Sequence, residues 1–343
     1  MLKFSTRKRK IFFAGMILLL AIDSVSCSNK SRLTVDRNAK VESVTGVQQM
    51  AQKIIIDNFS SSGKRNKIVF DKEPRRVVVD QQNNIEMLLE LGKEKSIVGA
   101  SCTSSHTTGF LERFQTRAKT LPAIRKQDFD RESVLILRPD FIIAWQSAFR
   151  TGGLGDTEFW NHRGINTYLV ENANSVLSKG GLEAEYRYIR NMGKIFHEEK
   201  KAESIVQNCR QKVKEYRRQI SLLPQQKVAL VENTSRYLML YGSNKLGGNM
   251  IESLGGKLVE GQGIIPAELL IEENPDIIFI VCIGWKEDSE REVKSFLGDR
   301  RFQSISAVKN QRVFAIPLMD MYASGIRTLE GIEVFAHGLL STH

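Results

Sequence analysis

LRPDFII at residues 137–143 and ENPDIIF at residues 273–279 share one pattern, and this repeated pattern decides the fold. In each stretch a segment with helical spacing of its apolar residues ends, Pro-Asp turns the chain, and an apolar run of strand length follows. The two stretches begin 136 residues apart. The repeat predicts two copies of one α/β unit, each with its own buried strand.

The residues around each stretch alternate short apolar runs with helix-length amphipathic segments. In the first half, this pattern predicts strands at residues 68–70, 76–79, 96–100, 141–144 and 167–170. A helix is predicted over residues 85–91, capped by Asn83 and closed by Gly92. The second half predicts strands at residues 228–231, 277–282 and 313–316, and a final helix at residues 328–340. Strands separated by helices indicate mostly parallel sheets.

The segment between the two halves has a different composition. Residues 181–223 contain no proline, and their apolar positions recur at helical spacing among Lys, Arg and Glu, which predicts one or two long helices. The predicted fold is therefore α/β, with two Rossmann-like lobes of mostly parallel sheet joined by a long backbone helix. The boundaries are residues 64–180 for the N-terminal lobe, 181–223 for the connecting helix and 224–343 for the C-terminal lobe.

The first 63 residues precede the predicted lobes. Residues 1–26 have the order of a secretory signal peptide, because a cationic start is followed by the nearly apolar residues 11–22 and then by small residues. That apolar run gives about 18 Å of helix, short of the roughly 30 Å of a hydrocarbon core. The sequence SVSC at residues 24–27 resembles a lipobox, so Cys27 is expected to be lipidated. Residues 27–63 are then a lipid-anchored tether, in which residues 44–59 could hold one helix.

The charge balance is basic, with a net charge of +11 over 343 residues. The signal segment carries five Lys/Arg and one Asp, which leaves +7 for residues 27–343. Such a surplus suits an anionic ligand or a membrane surface. The sequence has no zinc-finger spacing, RNA-binding aromatic motif or basic-region helix, so no nucleic acid partner is expected. It also has no glycine-rich phosphate loop, nucleophile elbow or HExxH motif, so we predict that the protein is not an enzyme.

Short phrases in a fixed order resemble those of a known family. The first are EPRRVVV at residues 73–79, NIEMLLELG at residues 84–92 and IVGAS at residues 97–101. They continue with LRPD at residues 137–140, GINTY at residues 164–168, LGG at residues 254–256 and the second Pro-Asp stretch. Together they resemble the class III periplasmic binding proteins, which carry vitamin B12, haem or siderophores to ABC importers. The resemblance covers the chain from about Lys67 to the C-terminus.

The resemblance implies a metal chelate of iron or cobalt as the ligand, held in a cleft between the lobes, with no intrinsic cofactor. Ligands of open α/β sheets lie at the carboxyl ends of the strands. Loops at those ends supply the candidate ligand-binding residues, which are Asn83, Trp145, Arg150, Tyr237, Tyr241, Trp285, Tyr322 and Arg327. Trp145 matches a cleft tryptophan of the B12-binding branch, although a tryptophan buried by a surface loop is the alternative. A second tryptophan of that branch is missing near residues 121–124, so cobalamin, haem and ferric siderophores all stay open.

Two of the polar candidates have specific chemistry. Arg327 could clamp a carboxylate or a phosphate-like group through two parallel hydrogen bonds, or it could cap the sheet or pair with Glu330. His106, in a loop on the cleft side, is the candidate metal ligand, and Tyr237 or Tyr241 could be its counterpart for haem.

The resemblance also implies a transporter partner. Family members present one acidic residue on each lobe to the permease, and the matching positions are Glu132 and Glu268. The expected partners are the permease and ATPase subunits and, through Cys27, the membrane. We expect a monomeric lipoprotein that faces the periplasm. Two rival functions remain, which are a chelatase-like enzyme that inserts a metal into a tetrapyrrole and a haem scavenger that has no transporter.

Overall fold

The computed structural model describes residues 53–102, 109–173, 179–234, 237–283 and 286–341. Within these ranges, no helix has both the length and the apolar character required to cross a bilayer. Cys27 and the predicted signal peptide lie outside the described residues.

The elements alternate as the sequence predicts. The strands are β1 Ile54–Phe59, β2 Arg65–Phe70, β3 Val77–Asp80, β4 Ile97–Ser101, β5 Phe141–Ala144, β6 Asn166–Leu169, β7 Lys227–Asn233, β8 Leu238–Leu240, β9 Lys257–Leu258, β10 Gly263–Ile265, β11 Ile277–Cys282 and β12 Val313–Pro317. The helices are α1 Gln82–Leu91, α2 Glu112–Ala118, α3 Arg131–Leu137, α4 Thr157–Asn161, α5 Leu182–Ile195, α6 Glu199–Ile220, α7 Leu246–Leu254, α8 Ala267–Glu273, α9 Lys286–Gly298, α10 Ser306–Lys309, α11 Leu318–Met321 and α12 Thr328–Leu340.

The N-terminal lobe has a four-stranded parallel sheet in the order β4-β3-β5-β6. The antiparallel hairpin β1-β2 packs beside β6. The Asn58 side chain joins them, since its amide donates to the Leu169 carbonyl at 3.0 Å and its oxygen accepts from the Leu169 N–H at 2.9 Å. Residues 54–59 are therefore a strand of the lobe. The predicted tether, which ran to residue 63, and the helix considered for residues 44–59 are wrong in this part.

The C-terminal lobe has a mixed sheet. Its strands follow the order β10-β8-β7-β11-β12, and β9 also pairs with β7. The pairs of β7 with β11 and of β11 with β12 are parallel, as predicted. The short strand β9, which was not predicted, is also parallel to β7. The sequence pattern did not predict β8 and β10, which add antiparallel strands beside β7.

The repeated Pro-Asp stretch builds the same corner in both lobes. Helices α3 and α8 end at the left-handed residues Arg138 (φ 47°) and Asn274 (φ 42°), and the following proline prevents the helix from continuing. The aspartate then holds the start of the neighbouring strand. Asp140 accepts from the N–H of Arg76 at 3.0 Å, and Asp276 accepts from the N–H of Lys227 at 2.7 Å.

Two helices join the lobes. Helix α5 ends before a tight turn at His197 (φ 54°), and α6 then runs from the N-terminal to the C-terminal lobe. Lys201 Nζ donates to the Leu91 carbonyl at 3.3 Å, and at the other end Arg217 Nη1 donates to the Ser253 carbonyl at 2.9 Å. One apolar core continues from the N-terminal sheet through both helices to α7 and α12. The joint between the lobes is therefore packed along its whole length.

Candidate functional site

The carboxyl ends of the N-terminal strands are tied together by Asp80, the last residue of β3. Its carboxylate accepts from the Ser101 hydroxyl at 2.8 Å, at the end of β4, and from the backbone N–H of Trp145, just after β5. Burial raises the pKa of Asp80 to about 6, although the Ser101 hydrogen bond lowers it. Asp80 thereby fixes the position of the backbone at Trp145, where the chain leaves β5.

Trp145 meets the C-terminal lobe directly. Its ring lies edge-to-face with the ring of Tyr322, with centroids 5.4 Å apart and planes at 67°. Both rings are half-buried and pack against the main core. The structure thus brings together two residues that the sequence predicted separately as ligand-binding.

A second contact between the lobes lies at the start of α1. This helix begins at Gln82, after Gln81 in a left-handed conformation (φ 69°), so Asn83 does not cap it as predicted. Asn83 is fully buried, and its amide donates to the carbonyl of Ala323 in the C-terminal lobe. Gly92 ends the helix in the left-handed conformation, as predicted.

Arg327 also joins the lobes. Its guanidinium donates to both oxygens of Glu86 in the N-terminal lobe, to Asp320 at 3.0 Å, and to the carbonyl of Gly109. The side chain is only 8 % exposed. The alternative considered for Arg327, an ion pair with Glu330, does not form, because Glu330 lies 3.4 Å from Arg113 instead. Arg327 therefore fixes the lobes to each other and offers no free guanidinium to a ligand.

Helix α5 adds a fourth contact, which is buried, through Glu185. One oxygen accepts from the N–H of Gly325, and the other from the Asn172 amide, both at 2.6 Å. Burial raises the pKa of Glu185 to about 7. We define the lobe junction as residues 80–86 and 320–327 together with Trp145 and Glu185.

Several polar atoms at or beside the lobe junction have no hydrogen-bond partner among the described residues. They are Trp145 Nε1, Ser324 Oγ and Asn244 Oδ1. The Asn244 backbone is tied to the start of α5, because its carbonyl accepts from the N–H of Gly180 at 2.8 Å. Buried polar atoms in proteins normally have partners. Trp145 Nε1 and Ser324 Oγ both belong to the lobe junction, which therefore has hydrogen-bonding capacity that the described residues leave unused.

The other predicted ligand residues within the described ranges have different partners. Tyr241 donates its hydroxyl hydrogen bond to Glu232 at 2.7 Å. Tyr237 lines a cavity of about 480 Å³ in the C-terminal lobe, together with Thr234, Asp299 and Arg301. Arg150 is exposed and pairs with Asp128 at 2.6 Å.

Two predicted residues lie outside the described ranges. They are His106, the candidate metal ligand, and Trp285. Within the described ranges, no three His, Cys, Asp or Glu side chains are grouped so that they could hold a metal ion.

The two predicted docking residues occupy equivalent places. Glu132 is the second residue of α3 and Glu268 the second residue of α8, and both are exposed. The surfaces beside them differ, because Ile136 is 80 % exposed on α3 whereas the equivalent position of α8 is the exposed Glu272.

Sequence reasoning missed the acidic partners Glu86, Asp320 and Glu185. A signal for Glu86 was present, since it lies in the apolar run Ile85-Glu86-Met87-Leu88-Leu89, in which every residue is buried. A carboxylate inside such a run requires a cationic partner. The sequence alone did not show that Arg327 would be that partner.

These features define a class of protein, namely an α/β binding protein with two lobes. The lobes are joined by helices, and they meet at the carboxyl ends of their strands. A family model described as periplasmic binding protein matches residues 77–318, and the chain belongs to that family. The solved structures with the same fold include siderophore-, haem- and Fe3+-hydroxamate-type binding proteins, which confirms the predicted class III resemblance.

Individual relatives support the same assignment. An uncharacterized ABC transporter substrate-binding lipoprotein, YvrC from Bacillus subtilis, is 21 % identical over 97 % of this chain and 98 % of its own. A periplasmic binding protein from Veillonella parvula superposes with a TM-score of 0.76 at 29 % identity, covering 84 % of this chain and 91 % of that one. The ABC-type Fe3+-hydroxamate transport system protein from Saccharomonospora viridis has a TM-score of 0.68 at 16 % identity, covering 84 % and 99 %. The chain is thus similar over most of its length to substrate-binding components of ABC transporters.

Proposed function

We propose that the protein is the lipid-anchored substrate-binding component of an ABC importer and that it holds a metal chelate between its lobes. One observation carries the proposal. The edge-to-face pair of Trp145 and Tyr322 joins the carboxyl ends of the two lobes, beside buried polar atoms that have no hydrogen-bond partner among the described residues. Apolar ring faces with a few polar groups suit a large chelate whose rim bears oxygens or amides. The Fe3+-hydroxamate protein of the same fold makes a ferric chelate the first ligand to test.

Titration of the purified chain from residue 28 tests the ligand. A ferric hydroxamate, haem and cobalamin are added separately, and absorbance and tryptophan fluorescence report binding. We expect one chelate to bind and to quench fluorescence, and Tyr322→Leu to weaken that binding. The matched control is Tyr237→Leu, because Tyr237 lines the separate C-terminal cavity. If none of the three chelates changes the absorbance or the fluorescence, the metal-chelate assignment is wrong.

We further propose that Glu132 and Glu268 dock the protein onto the permease. The positions of the two residues support this proposal. Each is exposed in the first turn of the helix that precedes the Pro-Asp stretch of its lobe, which is α3 or α8. Exposed charges at the rim of an interface mainly set the association rate and the register of the partners. The double variant Glu132→Ala, Glu268→Ala should bind chelate normally but fail to support uptake. The control, Glu112→Ala with Glu260→Ala, removes one exposed glutamate from each lobe and should support uptake fully. Normal uptake by the docking variant would favour a scavenger without a transporter.

A further inference from the structure

Helix α6 carries a dense cationic surface. Between Arg210 and Arg218 there are five Lys/Arg and only one acidic residue, Glu215. Lys214 and Arg218 are exposed, and their side chains have no ion pair within the described ranges. Leu222, which follows the helix, is 84 % exposed. These three residues follow one another at intervals of four, so they form one stripe along the outer side of the helix. We call Lys214, Arg218 and Leu222 the α6 stripe.

The α6 stripe lies on the edge of the molecule opposite to the lobe junction. Helix α6 contacts the last residue of α1 through Lys201 and the end of α7 through Arg217, and both helices end at the amino ends of the strands. The lobe junction is at the carboxyl ends. The outer face of α6 and the ligand site are therefore directed away from each other.

The described chain also begins at the α6 edge. Lys53 pairs with Asp71 at 3.1 Å, just after β2. Two residues further on, Glu73 lies 2.9 Å from Lys93, which also contacts Glu198, the residue before α6. The described chain thus begins on the same edge of the molecule as the first turn of α6, away from the lobe junction.

We propose that the α6 stripe rests on the anionic phospholipid leaflet that holds the lipid anchor, so that the lobe junction points away from the membrane during ligand capture. The proposal rests on the lipid-anchored function proposed above. Lys214 and Arg218 fit phosphate headgroups, and Leu222 fits the boundary between headgroups and acyl chains. Each cation near an anionic leaflet strengthens partition about fivefold. Such contacts are weak, and the anchor makes them effective by keeping the protein at the surface.

Delivery of the ligand to the permease then requires the protein to rotate relative to the membrane. The 26 residues 27–52 reach at most about 90 Å when extended, which is enough to pass around a lobe. Weak contacts at the α6 stripe allow this reorientation, because they can be exchanged for contacts of Glu132 and Glu268 with the permease. Ligand capture thus uses cationic side chains on the α6 edge of the protein. Delivery uses the acidic side chains of Glu132 and Glu268 on the opposite edge.

Flotation of the chain from residue 28, without its acyl chains, on phospholipid vesicles tests the proposal. We expect binding to vesicles that contain phosphatidylglycerol, no binding to pure phosphatidylcholine, and loss of binding in high salt. Lys214→Glu with Arg218→Glu should weaken partition by at least about 25-fold, and Leu222→Ser by less. The matched control, Lys64→Glu with Lys126→Glu, makes the same charge change near the carboxyl-end edge and should retain most of the binding.

Three results overturn the proposal. They are equal binding to neutral vesicles, equal losses in the two charge-reversal variants, and binding to soluble polyphosphate without binding to vesicles. Chelate titration of the same preparations separates this outcome from failure of the proposed function. A variant that binds chelate but not vesicles leaves the importer role intact, whereas a wild-type protein that binds vesicles but no chelate contradicts the metal-chelate assignment alone.

Discussion

The lobe junction and the outer face of α6 use the same residue types in opposite ways. At the junction, Arg327 is 8 % exposed, and within the described residues its guanidinium donates hydrogen bonds to Glu86, Asp320 and a backbone carbonyl. On α6, Arg218 is exposed and has no ion pair within the described ranges. The first arginine is part of the folded structure, and the second is available to a partner.

This difference shows why residue type alone misassigns function. The sequence predicted that Arg327 contacts the ligand, because arginine suits carboxylates. The structure places that carboxylate inside the protein, on Glu86. Burial distinguishes the two roles, since a buried arginine must be paired whereas an exposed one gains little from pairing.

Removal of the Arg327 guanidinium is the strongest test of this comparison. Arg327→Met leaves Glu86 and Asp320 buried without a cation, so we expect the free energy of unfolding to fall by about 3–5 kcal/mol. Arg218→Met on α6 should change it by no more than about 0.5 kcal/mol. Urea unfolding of both variants measures the contrast. Equal effects would mean that Arg327 is not committed to the junction in solution.

The pH dependence of stability gives the next largest effect. Burial raises the pKa of Glu185 to about 7 from its ordinary 4.5, so the folded state holds this proton more tightly than the unfolded state. The contribution of Glu185 to stability is then fully present below about pH 4.5, falls as the pH rises to about 7, and is constant above. The total loss is about 3 kcal/mol at most.

The variant Glu185→Gln should remove this slope from the pH dependence of the unfolding free energy. The control Glu183→Gln changes an exposed residue of the same helix and should keep it. Unfolding curves between pH 4 and pH 8, to be run on both variants, give the slopes. A smaller slope remains in Glu185→Gln, because the raised pKa of Asp80 adds to the same pH dependence. A slope as steep as that of the unchanged protein would mean that Glu185 does not contribute to it.

The aromatic contact between the lobes gives the smallest effect. A double-mutant cycle of Trp145→Leu and Tyr322→Leu should give a coupling energy of about 0.5–1.5 kcal/mol, as edge-to-face pairs do. The cycle of Trp145→Leu with Tyr241→Leu serves as the reference, because the Tyr241 hydroxyl is bonded to Glu232 instead. Equal coupling in both cycles would argue against a direct contact between the Trp145 and Tyr322 rings.

Much of the fold could be predicted from local patterns. The final helix spans the predicted residues 328–340, Gly92 ends α1, and the Pro-Asp repeat marks the same corner in both lobes. Each of these depends on spacing or backbone conformation within a few residues. The strand at residues 54–59 was missed, although its partner β2 follows directly in a hairpin. Only the attachment of this hairpin to β6, through the Asn58 side chain, joins residues about 110 positions apart.

The candidate site could be predicted only in part. Trp145 was identified because it directly follows a recognisable strand. Tyr322 was identified because it precedes a recognisable helix. The partners of Arg327 and Asn83 lie about 240 residues away in sequence, in the opposite lobe. Such pairings depend on how the lobes are placed, and a single sequence does not contain that information.

Hydrogen exchange with and without the bound chelate tests whether the ligand lies at the lobe junction. We expect slower amide exchange at residues 145–148 and 322–327, in opposite lobes, and unchanged exchange along α6. Protection confined to one lobe, or to the cavity that Tyr237 lines, would contradict a ligand site at the lobe junction.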